Sequence, residues 1–162
     1  MMTILQALKK IKHLDRKIGK SQERIGKWCS YISPIEEPQY DTNKLIQTVN
    51  DLLSERAKLR HALHVTNALH KVEFKGKEIT VDELLILSTV TIPQQIETLR
   101  MLRRKEKPYH LQGKDAPECK VVLQYDPAGR DRQIDALEND LDIIDQILDE
   151  INITTDISSY VK

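Results

Sequence analysis

Ile134, Leu137, Leu141, Ile144, Leu148 and Ile151 recur at alternating gaps of three and four residues. That spacing keeps all six on one side of a helix, which must then lie against another apolar surface. Asp131, Asp135, Glu138, Asp142, Asp145 and Asp149 form a second row beside it that is wholly acidic. The start is well marked. Asp126 can cap the free amides, and Pro127 suits the first helical position, where no N–H is needed. A helix over 127–152 follows, and the rest of the chain has to supply its partners.

The N-terminal segment carries the same kind of constraint. Ile4, Ile11, Ile18, Ile25 and Ile32 repeat every seven residues, with Ala7, Leu14, Ser21 and Trp28 at the second position. This is the pattern of a coiled-coil seam. Thr3 and Gln6 have capping-box spacing, so the helix is expected over 3–32. Gly19 and Gly26 lie beside the seam. Each costs about 1 kcal/mol relative to alanine, and either close approach of another backbone or tolerance on a solvated side explains them. Pro34 and Pro38 end the helix in a loop, and Asp41 caps a second helix over 42–70 with Leu45, Val49, Leu52, Leu59 and Leu63 on its apolar side. Arg56 and Thr66 interrupt that side. The two helices read as an antiparallel hairpin, ~40 Å long at 1.5 Å per residue.

Residues 72–80 alternate and turn at Lys75-Gly76, which predicts a β-hairpin. Thr80 and Glu83 form a capping box for a third helix over 81–106, with Leu85, Ile92, Ile96 and Leu99 on its buried side. Pro93 should kink or divide it near Thr91. Residues 119–125 are rich in β formers and read as a strand, paired either with 108–112 or with the hairpin. The tail from Ile153 is expected to be short, polar and extended. The fold class is mainly α: an antiparallel long-helix bundle or coiled-coil hairpin with a small β element, in one domain over 1–162.

Lys plus Arg equals Asp plus Glu, 25 each, so no overall charge draws the chain to nucleic acid or an anionic membrane. Charge is nevertheless segregated. Residues 1–27 carry eight basic and two acidic side chains, a net of +6, and residues 131–156 carry nine acidic and one basic, a net of −8. These segments should attract each other, within a chain or between chains, setting register more than stability. The basic helix lacks interleaved aromatics and any nucleic-acid reading motif. The longest aliphatic run, Leu84 to Leu87, is far short of the ~20 residues that span a bilayer. Cys29 and Cys119 are too few and too far apart for a disulfide framework; they read as two free thiols, Cys29 as a small buried apolar residue, with a single bridge between them as the alternative. With no apolar signal segment at its start, the chain is expected in the cytoplasm or in a particle.

Little in the chain suggests chemistry. His61 and His64 lie three apart with His70 beyond them, a spacing that can place two imidazoles on one metal, but no Cys, Asp or Glu stands beside them at ligand spacing. The acidic row lacks the glycine and the clustered oxygens of a calcium loop. No phosphate-binding glycine loop and no Ser-His-Asp arrangement is present. No catalytic, cofactor or metal residue is assigned, and no cofactor is expected.

The stretch Glu150-Ile-Asn-Ile-Thr-Thr-Asp-Ile157, together with Val65-Thr-Asn67, resembles the septicolysin-like family of small helical proteins from bacteria and phages. The family has the same element order, although Pro93 departs from its uninterrupted third helix. Carried over by position, the resemblance implies that Thr66, Asn67, Asn152, Thr154 and Thr155 are shared polar residues that cap helix ends and set register. It also implies a phage-particle setting, as a collar, neck or decoration component. The expected function is that of a non-enzymatic structural protein. It would form a homo-oligomer through the seams Ile4, Ile11, Ile18, Ile25 and Leu137, Leu141, Ile144, Leu148. Its partners would be itself and other virion proteins, not nucleic acid or membrane. A secreted cytolysin-like protein and a histidine-based metalloenzyme are the alternatives.

Overall fold

The computed structural model describes residues 1–109, 112 and 119–161. It is mainly helical, with one small antiparallel β-hairpin among the described residues. Within the chain, two compact units are distinguished. The first is Met1–Asp82 with Leu148–Lys162, and the second is Glu83–Ile147.

The first unit is built on α1 (Ile4–Trp28) and α2 (Thr42–Leu69). Thr3 caps α1 through the expected box, accepting from the Gln6 amide while the Gln6 side chain accepts from the Thr3 amide. Ile4, Ala7, Ile11, Leu14, Ile18 and Ser21 are buried, so the seven-residue pattern marks the core side over most of α1. It fails at the end. The helix stops at Trp28, four residues short of the expected limit, and Ile32 is 64% exposed. Pro34 has no N–H for the Ser30 carbonyl and bars the helix only beyond about Ser33; the earlier stop coincides with the Thr42 hydroxyl donating to the Trp28 carbonyl. Cys29, expected to be buried, is the exposed C-cap.

Asp41 caps α2 by accepting from the Asn43 and Lys44 amides. The Thr42 hydroxyl donates to the Trp28 carbonyl, so the start of one helix satisfies the end of the other. Val49, Leu59, Ala62, Leu63 and Thr66 are buried on α2. The two interruptions of its apolar side have partners. Arg56 reaches Asp15 of α1 at 2.7 Å, and the Thr66 hydroxyl donates to the Ala62 carbonyl of its own helix. Lys10 and Glu55 add a second, more exposed pair at 2.7 Å.

Strands β1 (Lys71–Phe74) and β2 (Lys77–Thr80) follow in the expected register, Val72 opposite Ile79. Lys75 and Gly76 both have positive φ, 52° and 74°, the combination that a two-residue turn with right-handed strand twist requires.

The third helix departs most from expectation. It comprises α3 (Val81–Ile86), a π-helical segment Leu87–Thr91 and α4 (Ile92–Arg100). Pro93 has no N–H for the Thr89 carbonyl, and the preceding turn widens so that Ile92 N–H donates to the Leu87 carbonyl. The extra residue absorbed by this turn shifts the helical phase. Leu84, not Leu85, is therefore the fully buried residue in line with buried Ile92 and Ile96. Helix α4 ends at Arg100, short of the expected 106. Arg100, Arg103, Arg104 and Lys107 would share one helical side and repel. Residues 119–125 form no strand. The only sheet among the described residues is the two-stranded hairpin, and Val122 is 80% exposed. β-forming side chains do not hold a strand without a surface to pack on. Of the residues 108–112 considered as its partner, His110 and Leu111 lie outside the described residues.

Helix α5 (Pro127–Thr154) runs two residues beyond its expected end. Asp126 caps it, accepting from the Ala128 and Gly129 amides. In the second unit Arg130 donates to the Leu102 carbonyl at 2.6 Å, and Arg100 pairs with Glu138 at 2.9 Å.

Candidate interaction surfaces

The residues assigned to seams divide by burial. Ile4, Ile11 and Ile18 are buried, and Ile25 is half-buried near the end of α1. On α5, Ile144 and Ile151 are buried, whereas Ile134, Leu137, Leu141 and Leu148 are only half-covered. Asp140 is buried between Leu137 and Ile144, a position that the aliphatic spacing alone did not mark.

All six members of the acidic row on α5 are exposed. Asp131 pairs with its neighbour Arg130 and Glu138 with Arg100. Asp135, Asp142, Asp145 and Asp149 have no ion pair among the described residues. Carboxylates three and four residues apart on one helix repel, each pair by about 0.2–0.5 kcal/mol. The side of α1 opposite its core carries Lys9, Arg16, Lys20 and Lys27, all exposed and likewise without an ion pair among the described residues.

The five polar residues implied by the family resemblance lie near the C-terminal ends of α2 and α5. Thr66 is buried and Thr154 exposed, and each hydroxyl donates to the carbonyl four residues back, Ala62 and Glu150 respectively. The Thr155 carbonyl accepts from Ile4 N–H at 3.2 Å. Asn67 and Asn152 are half-buried.

The tail, expected to be extended, is instead tied to the start of the chain. Asp156 forms an antiparallel bridge with Thr3, Ile157 N–H donates to the Met2 carbonyl, and the Ile157 side chain is fully buried. Asp156 Oδ1 accepts from Met2 N–H, Ser158 N–H and the Ser158 hydroxyl at 2.9, 2.9 and 2.6 Å. The Ser158 hydroxyl and amide, then the Met2 amide, favour the ionised form and hold this carboxyl down at about 2. The sequence carried one faint signal for this clasp: Asp-x-Ser is an Asx-turn spacing.

Beside the clasp, α2 and the tail border two adjoining depressions of about 410 and 230 Å³, which share Ser159 and Tyr160 as a wall. His61 lines the first and His70 the second, with Thr66 and Thr155. His64 borders neither. Among the described residues no three His, Cys, Asp or Glu side chains converge as a metal site would need. No described helix is long and apolar enough to cross a membrane. No protein-family model, curated protein or solved structure matches this chain.

Proposed function

We propose that the chain is a non-enzymatic structural protein whose long helices act as coiled-coil seams shared between copies, giving a homo-oligomer. The half-covered aliphatic row of α5 carries this reading. Ile134, Leu137 and Leu141 repeat in register with buried Ile144 yet keep part of their surface in water. A helix that displays such a row gains by burying it, at about 25 cal/mol per Å² of apolar area. Leu8 and Ile46, each 44% exposed, add apolar surface on α1 and α2. The particle setting, a phage collar, neck or decoration component, rests on the resemblance of residues 150–157 and 65–67 to the septicolysin-like family.

The test is the molar mass of the purified chain by light scattering across a concentration series. The expected result is a discrete integer multiple of the single-chain mass. A single-chain mass throughout the series would remove the reading.

A further inference from the structure

Lys9, Arg16, Lys20 and Lys27 follow one another at gaps of seven, four and seven along α1. At 100° per residue they fall within an arc of about 40°, on the side of α1 away from Ile11 and Ile18. Glu23 is the one acidic residue among them. On α5 the acidic row begins at Asp131 and ends at Asp149, also an 18-residue span. Each row is therefore about 27 Å long. The rows match in length and oppose in sign, and most of their members lack a counter-charge among the described residues. Neighbours three and four apart repel throughout the acidic row, and Arg16 and Lys20 do so in the basic row, so a counter-charged helix laid alongside would relieve both. The acidic row runs next to the half-covered aliphatic row, so a helix seated there meets apolar surface and negative charge together.

We propose that the basic side of α1 in one copy docks along the acidic row of α5 in a second copy. This rests on the assembly reading above and names its surface. A second copy fits better than a nucleic acid. The chain carries its own complement of matching length, and its charges sum to zero. Such a contact joins two different surfaces. Repeated head to tail it closes into a ring or extends into a filament, and made reciprocally it gives a dimer.

Three exposed-site variants test it by light scattering at low and high salt. They are Lys9→Glu with Lys20→Glu on α1, Asp135→Lys with Asp142→Lys on α5, and all four together. Circular dichroism establishes that each retains its helix content. Wild type should assemble at low salt and weaken at high salt. Each paired variant should self-associate at least about tenfold more weakly, because like charges then face each other. The fourfold variant, its charges exchanged, should recover wild-type mass. If wild type assembles and the paired variants assemble equally well, this pairing is wrong while the oligomer stands. If wild type is a single chain at every concentration, both are wrong. If the α1 variant keeps its mass but loses retention on immobilised DNA that wild type shows, the basic row serves a phosphate backbone and the pairing is overturned.

Discussion

Asp156 concentrates three donors on one carboxylate oxygen, and the clasp depends on its being ionised. The folded state holds its carboxyl at about 2, below the ordinary 3.8. A group depressed in this way contributes stability that is fully present above the unfolded value and is lost as pH falls through the folded one. Asp156→Asn keeps the shape and removes the charge. It should lower the melting temperature by a constant amount above about pH 5, with the gap to wild type closing between about pH 4 and pH 2. A gap that persists unchanged at pH 2 would assign the loss to geometry rather than to charge. Ile157 tests the same clasp from its apolar side. Being fully buried, Ile157→Ala should cost about 2–4 kcal/mol in denaturant unfolding. A cost near zero would mean that the tail is not held in the core. Little of this was legible, because a short, mostly polar tail has no periodicity to mark Ile157, and its order comes from the distant residues Met2 and Thr3.

Helix starts were the most legible elements, since caps are local chemistry: Thr3 with Gln6, Asp41 and Asp126 each cap where their side chains predict. Helix ends were less so. Helices α1 and α4 stop at Trp28 and Arg100, each short of the limit that its sequence pattern suggests. Pro93 predicts a kink or a division near Thr91, but only the structure gives its form, a π-turn that changes which leucine faces inward. Gly19 and Gly26 had two readings, and nothing approaches within 4 Å of a Cβ placed at either. In a lone chain Gly19→Ala and Gly26→Ala should therefore each stabilise α1 by about 0.5–1 kcal/mol, a rise of roughly 2–4 °C per kcal/mol for a chain of this size. A fall in melting temperature together with a fall in mass would show instead that a second backbone sits against them in the assembly.

For the whole molecule, the aliphatic spacing of 134–151 implied one continuous seam, yet α5 begins in one compact unit and ends in the other. Periodicity describes a helix and carries no information about which neighbour covers which turn, so the division could not be read from it. Ile18 and Ile144, both buried, lie in different units and allow the division to be tested. Placing an unpaired carboxylate at either site costs several kcal/mol, because the charge must be desolvated or its unit must open. If the units are separate cooperative bodies, Ile18→Asp should raise amide exchange across 1–82 and 148–161 while the first five turns of α5 stay protected. Ile144→Asp should do the reverse, exposing the amides of 83–100 and 127–147 and sparing α1 and α2. Hydrogen exchange read by mass spectrometry distinguishes the two patterns peptide by peptide. Loss of protection across both units in both variants would mean that α5 transmits unfolding from end to end. The chain would then melt as the single domain that its sequence suggested.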